Sequence, residues 1–431
     1  MANLFGVDVG TSFIKAALLD PDTREVRHIH RTRTPGFVDG LPSTHREVDP
    51  DSVVDAVAQL LMELRRESPR CDGLVLCGQM QGFVLVNPLG ERLSNYISWL
   101  DQRVTPGEFD EMSRQITEEE RLETGNDLRP GIALPLLWWL KRGGALPSGE
   151  ATPVSLADFV AGRLCDTRPR MEPTQAAAFG ALSLPALRWH EEVIGKLGLE
   201  SLRWPEVCPA GSTVGTWSGV PCLVTVGDQQ CALAGALLGK RELSVNIGTG
   251  SQVSVITDSP RPSGQQVRPY FDGRFLRTTT HIPGGRALSP LIRLLTELGG
   301  ASEGDAWRYI GPAVASVSST DLRASVAFFP GPCGYGGFLE NLHDGNLSIG
   351  HVFRAVFESM ARNYESCARR LAVPAVKGVV FSGGVARHFQ VLRDLTAEAL
   401  RLPQRLSPHE EDTLFGLAVL AGAWTGRAGS E

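Results

Sequence analysis

The sequence predicts two α/β domains of common design. Three observations carry that expectation: the length of the chain, a repeated strand–turn–strand segment, and a repeated strand that ends in glycine. At 431 residues the chain exceeds one ordinary hydrophobic core and suggests two. Residues 5–20 and 243–258 align without gaps, so that Val7, Gly10, Thr11 and Asp20 match Val245, Gly248, Thr249 and Asp258. Each segment reads as a β-hairpin with small residues at its tip. Further on in each half, Gly73-Leu-Val-Leu-Cys-Gly78 resembles Gly378-Val-Val-Phe-Ser-Gly383. Two pairs in the same order make a duplicated domain the better reading.

A helical pattern precedes each glycine-ended strand. The first carries Val53, Val54, Val57, Leu60, Leu61 and Leu64, with Asp51 as its expected N-cap. The second carries Phe353, Val356, Phe357, Met360, Tyr364, Cys367 and Leu371. The boundary between the halves falls between Gly227 and Leu243, giving domains 1–235 and 236–431. Two Gly- and Pro-rich stretches, Ser259 to Gly273 and Phe329 to Gly337, read as surface loops. The run Thr413 to Trp424 reads as a small-residue helix suited to close packing on a sheet, and residues 426–431 as a frayed end.

Composition narrows the function classes. Hydrophobic content of 42% and charged content of 21% describe a soluble globular protein. A formal charge of −6 with no basic stripe disfavours nucleic acid as a partner. No apolar run reaches the ~20 residues that a membrane helix needs. Eight scattered cysteines form no Cys-x-x-Cys pair and fit a reducing, cytoplasmic setting.

The chemistry-bearing residues lie at the ends of the strands. Asp228 follows the apolar run Leu223 to Val226 and Gly227, and precedes a helix-like stretch. A carboxylate there can take a proton from a substrate hydroxyl. The tips Asp8-Val-Gly-Thr-Ser12 and Gly248-Thr-Gly-Ser251 bring backbone N–H groups and hydroxyls close to an anion. An ordinary turn explains either tip alone, but their pairing across a repeat favours phosphate. Asp8 in a buried strand is costly unless paired or bound to a cation, and Mg²⁺ suits carboxylate plus phosphate oxygens. Neither a P-loop nor a Gly-x-Gly-x-x-Gly fingerprint is present.

The ordered set of motifs resembles the FGGY carbohydrate kinases over nearly the whole chain. It comprises Gly6-Val-Asp-Val-Gly-Thr11, Gly78-Gln-Met-Gln-Gly82, Trp99-Leu-Asp-Gln-Arg103, Gly125-Asn126, Gly227-Asp-Gln-Gln230, Asn246-Ile-Gly-Thr-Gly250, Gly383-Gly-Val-Ala-Arg-His388 and Glu411-Asp-Thr-Leu-Phe-Gly416. The resemblance implies two RNase-H-like domains of the actin-like ATPase type, with ATP and a sugar meeting in an interdomain cleft. It makes Asp228 the catalytic base and gives Mg²⁺ to Asp8 and Asp228. It assigns the sugar to Gln79, Met80, Gln81, Trp99, Asp101, Arg103 and Gln229. The nucleotide falls to Gly10, Thr11, Ser12, Gly248, Thr249, Gly250, Gly383, Gly384 and His388, with Gly285 and its neighbour Gly284 as a further turn. Relatives often dimerise, so a homodimer is compatible with the resemblance.

Two departures stand out. Gln81 occupies the position where the family commonly has His, so no imidazole acid–base role exists there. Leu136 stands where a lysine is usual upstream of Trp139-Leu140. Among branches, the sedoheptulokinase-like members look nearest, on Arg268-Pro-Tyr-Phe-Asp272 and Gly350-His-Val-Phe-Arg-Ala355. Met80-Gln81 at the site of the glycerol kinases' Arg-Glu pair argues against glycerol. The expected activity is ATP-dependent phosphorylation of a primary hydroxyl on a ketose, sedoheptulose among the candidates. The rivals are ribulose, xylulose or polyol specificity, and a non-catalytic nucleotide or sugar sensor on the same scaffold.

Overall fold

A computed structural model describes residues 3–262, 264–371 and 376–424; the end read as frayed, 426–431, lies outside them. The chain forms two compact units. One is made of Met1–Gly235, Asp258–Phe275 and Glu411–Glu431, the other of Ala236–Thr257 and Leu276–Glu410. Neither is continuous in sequence, because two segments from beyond residue 236 pack with the first unit.

The first unit is built on a mixed sheet. Its centre is β1 (Leu4–Val9), which runs antiparallel to β2 (Phe13–Asp20), itself antiparallel to β3 (Glu25–Arg33). On its other side β1 runs parallel to β4 (Gly73–Gly78). The link between them is α1 (Pro50–Glu67), which buries Val53, Val57, Leu60, Leu61 and Leu64 at helical spacing. Its N-cap is Asp49, whose side chain accepts from Asp51 N, while Pro50 takes the first helical position. The expected cap, Asp51, is thus displaced into the first turn, because proline is preorganised for the position after the cap. Beyond β4 the sheet continues with β5 (Thr213–Trp217) and β6 (Val220–Leu223), and the two-residue β7 (Val226–Gly227) also pairs with β4.

The second unit repeats this plan. Strand β8 (Glu242–Ile247) runs antiparallel to β9 (Ser251–Thr257) and parallel to β11 (Gly378–Ser382), and β10 (Phe275–Ile282) extends the sheet beyond β9. The register matches the sequence repeat without offset. Leu4 sits opposite Gly73, and its counterpart Glu242 sits opposite Gly378. The helix before β11, Ile349–Arg370, buries Phe353, Val356, Phe357, Met360, Tyr364 and Cys367 as its pattern requires.

The stretch 259–273 differs from the expected surface loop. Gln266–Pro269 forms a strand, and Val267, Arg268, Tyr270 and Phe271 are buried. Its glycine and proline content masked a buried apolar run inside the first unit. All eight cysteines are free. Among the described residues no helix is long and apolar enough to cross a membrane.

The first unit is completed by a close helix crossing. The helix Asp412–Trp424 lies against the helix Asp228–Gly235 that follows β7. A Cβ on Gly416 would fall 2.0 Å from the Cys231 carbonyl oxygen, and one on Gly235 would fall 1.9 Å from that of Asp412. Only glycine permits that approach. Gly416→Val should therefore cost about 1–3 kcal/mol in urea unfolding, the range for overpacked interiors. A variant that unfolds like the wild type would show that the crossing has slack.

Candidate active site

Two carboxylates define the centre of the first unit. Asp8 lies one residue before the end of β1, in register with Lys15 on one side and Cys77 on the other. Its Oδ2 accepts a 2.7 Å hydrogen bond from the Thr413 hydroxyl. Lys15 forms an ion pair with Glu411. Burial raises the Asp8 pKa above the ordinary value, while the Thr413 hydrogen bond and the Lys15 charge pull it back.

Asp228 opens the helix Asp228–Gly235 directly after β7. Strand β7 pairs with Cys77 and Gly78, so Asp228 emerges just past the end of β4. Its Oδ1 accepts from the following backbone N–H, that of Gln229, at 2.7 Å. Part of its surface remains open, yet surrounding protein desolvates the carboxylate. Burial, then the negative charge of Asp8, push its pKa up to about 7, against the pull of the Gln229 N–H and Arg268.

Around this pair lies a row of alternating charge. Arg268, only 7% exposed, donates to Gln229 Oε1 and forms a 2.7 Å ion pair with Asp127. Asp127 in turn accepts from Arg129 at 3.1 Å, and Arg129 donates to Gln81 Oε1 at 2.5 Å. Because guanidinium groups only donate, both glutamine amides are oriented with oxygen toward arginine. Gln81 also has a positive φ of 78°, a backbone state uncommon for a side chain of this kind. Burial and the nearby Arg268 charge lower the Arg129 pKa, partly countered by Asp127.

The remaining sugar-site candidates form two groups. In the first, Trp99 Nε1 donates to Thr11 Oγ1 at 3.2 Å, Thr11 donates to Gln79 Oε1 at 3.3 Å, and the buried Tyr96 hydroxyl donates to the same oxygen at 3.2 Å. Gln79 Nε2 reaches back to the Gly10 carbonyl at 3.4 Å, so the hairpin tip and the glycine-ended strand are joined. Met80 is buried beside Gly227. In the second, Asp101 and Arg103 hold one another. Asp101 Oδ1 accepts from Arg103 N and Nε, and its Oδ2 from Arg103 Nη2 and Arg46 N, at 2.8–2.9 Å. Arg103 also pairs with Glu47 at 2.6 Å. Both are buried, and their mutual bonds brace the Trp99 loop.

In the second unit the glycine turns converge. Gly248, at the end of the β8 hairpin, accepts from Gly285 N at 2.8 Å, and Thr249 O accepts from Arg286 N at 2.8 Å. Gly284 and Gly285 lead into the helix Gly285–Thr296. A Cβ on Gly284 would meet Ser251 Oγ at 2.4 Å. Gly383 has φ 89°, and a Cβ there would lie 2.6 Å from the Ile247 carbonyl oxygen. Gly250 and Gly384 face open space on the backbone side. The Tyr364 hydroxyl donates to Pro283 O and accepts from Ser251 Oγ, each at 3.0 Å, fixing two of these turns together. His388 has Nε2 3.0 Å from the Trp307 carbonyl oxygen and its ring edge-on to Trp307 and Phe389.

Several of these contacts have no local sequence signal. Thr413 meets Asp8 across 405 positions of chain. Asp127 and Arg129 sit one and three residues past the Gly125-Asn126 motif singled out in the sequence, yet the pairing of Asp127 with Arg268 needs the buried strand at 266–269.

Comparison with known proteins accounts for the arrangement. The model of the FGGY family of carbohydrate kinases, N-terminal domain, matches residues 4–235. The sedoheptulokinase of Homo sapiens is 25% identical over 96% of this chain and 96% of its own. The crystal structure of xylulose kinase from Rhodospirillum rubrum superposes with a TM-score of 0.87 at 20% identity, covering 99% of this chain and 91% of that one. Plasmodium falciparum glycerol kinase with ADP gives 0.85 at 16% identity, covering 100% and 91%. At those identities the solved structures speak to the fold, which is that of the actin-like ATPase type. With more than half its length matched by the family model and the motifs in order, the chain belongs to the FGGY family of carbohydrate kinases.

Proposed function

We propose that this kinase transfers the γ-phosphoryl group of ATP to a primary hydroxyl of a ketose, with sedoheptulose the first candidate. One observation carries the reading. Asp228 stands at a strand end with part of its surface open, and its carboxyl is tuned to about pH 7 by burial and by Asp8. A base of that strength is matched to removing a hydroxyl proton near neutral pH. The full-length likeness to human sedoheptulokinase supports the sugar, while the solved xylulose and glycerol kinases keep related acceptors in view.

In the proposed reaction Asp228 accepts the proton as the sugar oxygen attacks phosphorus in line. Gln79, Gln81 and Gln229 orient the hydroxyls, and Arg129 adds a charged donor at the Gln81 end. Trp99 offers an apolar face, and Asp101 with Arg103 hold its loop. Gly10, Thr11 and Ser12 supply donors for phosphate. The turns 248–250, 284–285 and 383–384 take the nucleotide, their bare glycines leaving backbone N–H groups approachable.

The donor set fits Mg²⁺. Asp8 and Asp228 are two desolvated carboxylates, and the charge of Asp8 raises Asp228. Two carboxylates suffice for an ion that keeps waters and phosphate oxygens as its other ligands. When bound, Mg²⁺ offsets charge on the phosphoryl oxygens.

Asp228→Asn should reduce kcat below about a tenth of wild type while leaving ATP affinity nearly intact. A variant above that level would remove Asp228 as general base. Because the base must be ionised, kcat/KM should fall roughly tenfold per pH unit below the Asp228 pKa of about 7 and level off above it. ADP release across ketoses, aldoses and polyols decides the acceptor. A flat panel with firm ATP binding would favour the sensor instead.

A further inference from the structure

Strand β7 delivers Asp228 with very little backbone support. It is two residues long, and its ladder pairs reach only Cys77 and Gly78. Side chains supply the rest. From the short helix Pro173–Ala177, Gln175 Nε2 donates to both Gly78 O and Val226 O at 3.2 Å, tying the ends of β4 and β7 together. Thr174 Oγ1 accepts from Gly227 N at 2.8 Å. Its own hydroxyl hydrogen goes to Glu172 Oε2, which also accepts from Thr174 N at 2.7 Å. One residue before β7, the Thr225 hydroxyl donates to Asp158 Oδ1 at 2.6 Å, and the Ser155 hydroxyl donates to Asp158 Oδ2 at the same distance.

These groups are almost wholly shielded from water: Thr174, Gln175 and Thr225 are 0% exposed and Glu172 3%. Capping a five-residue helix does not require a buried glutamate. An exposed Ser, Thr or Asp would serve without the desolvation cost. What the glutamate adds is direction. By taking the Thr174 hydrogen, its carboxylate leaves a lone pair of Oγ1 aimed at the Gly227 N–H, the last backbone donor before Asp228.

We infer that Glu172 and Thr174 are positioning residues for phosphoryl transfer: Glu172 orients the Thr174 hydroxyl, which fixes Gly227 and through it the Asp228 carboxylate. Neither touches substrate, and the inference rests on Asp228 being the base. Displacement of a catalytic group by about an ångström is worth on the order of a hundredfold in rate. The effect therefore belongs in kcat and not in the binding of sugar or ATP.

The test is steady-state ADP release by the full chain with its best acceptor, for Thr174→Val, Thr174→Ser, Glu172→Met and Asp228→Asn. Thr174→Val is expected to lower kcat by about tenfold to hundredfold with both KM values within about twofold. Thr174→Ser, which keeps the hydroxyl, should recover most of that loss. Glu172→Met, which leaves Thr174 in place but removes the acceptor of its hydroxyl hydrogen, should lower kcat about tenfold, and it stands as the test if Thr174→Val does not fold. Wild-type kcat in a folded Glu172→Met, or in a folded Thr174→Val, overturns the inference. So does a Thr174→Ser variant as impaired as Thr174→Val, with KM rising and thermal stability falling together, since that marks a purely structural role. If Asp228→Asn is inactive while Glu172→Met and Thr174→Val are normal, only the positioning inference falls. If Asp228→Asn is active, the general-base reading falls and this inference with it.

Discussion

The first unit depends on the close crossing of two helices that are far apart in sequence. Gly235 and Gly416 let the helix after Asp228 and the helix Asp412–Trp424 touch backbone to backbone. That contact carries Thr413 to Asp8, and Cys231 Sγ lies 3.1 Å from the Thr413 carbonyl on the same seam. The two carboxylates of the centre are thus set by one interface. Asp228 rides on one helix, and the partner of Asp8 rides on the other. A larger residue at either glycine would separate the helices and move both carboxylates' surroundings at once.

Burial gives these carboxylates their chemistry and sets them against stability. Desolvation lifts Asp228, Asp158 and Glu172 each to about 7. In the unfolded chain such groups titrate near 4. Between about pH 4 and 7 the folded state therefore holds protons that the unfolded state has released, and stability declines as pH rises through that window. The proposed phosphoryl transfer needs Asp228 ionised, at the upper end of the same window. The fold answers with hydroxyls and backbone N–H groups on each of these carboxylates and on Asp8: Thr413 on Asp8, Gln229 N on Asp228, Thr174 on Glu172, Ser155 and Thr225 on Asp158. These bonds favour the charged forms and limit the loss.

Much of the architecture is legible in the sequence because it is local and duplicated. The hairpin repeat aligns ungapped, and its register survives into the two sheets because each residue shifted would send the apolar set to the wrong face. The glycine-ended strands and the helix before each follow from simple periodicity. The failures have equally physical causes. Asp51 reads as a cap because aspartate before an apolar run usually is one, but Pro50 moves the helix start back by one residue. The stretch 259–273 looks like loop because glycine and proline outweigh a buried core of four or five residues. The bonds of Asp101 and Arg103 to one another and to Glu47, in contrast, cannot be read from residue types and become visible only in three dimensions. The buried network at Glu172 and Thr174 lacks any motif that names it, since its meaning comes from Gly227, more than fifty residues away.

The discontinuous first unit has a consequence for biosynthesis. The chain emerges from the ribosome N-terminus first, and residues through Gly235 are exposed before the helix that covers them exists. Asp8 waits without Thr413, and the glycine face of the helix Asp228–Gly235 waits without its partner, until residues 412–424 have been made. The second unit, whose residues lie entirely within 236–410, can finish first. The centre is therefore completed by the helix Asp412–Trp424, made after the whole of the second unit. A chain not yet extended through that helix lacks the hydroxyl bonded to Asp8 and leaves the glycine face of the helix Asp228–Gly235 uncovered, the kind of surface on which chaperones and proteases act.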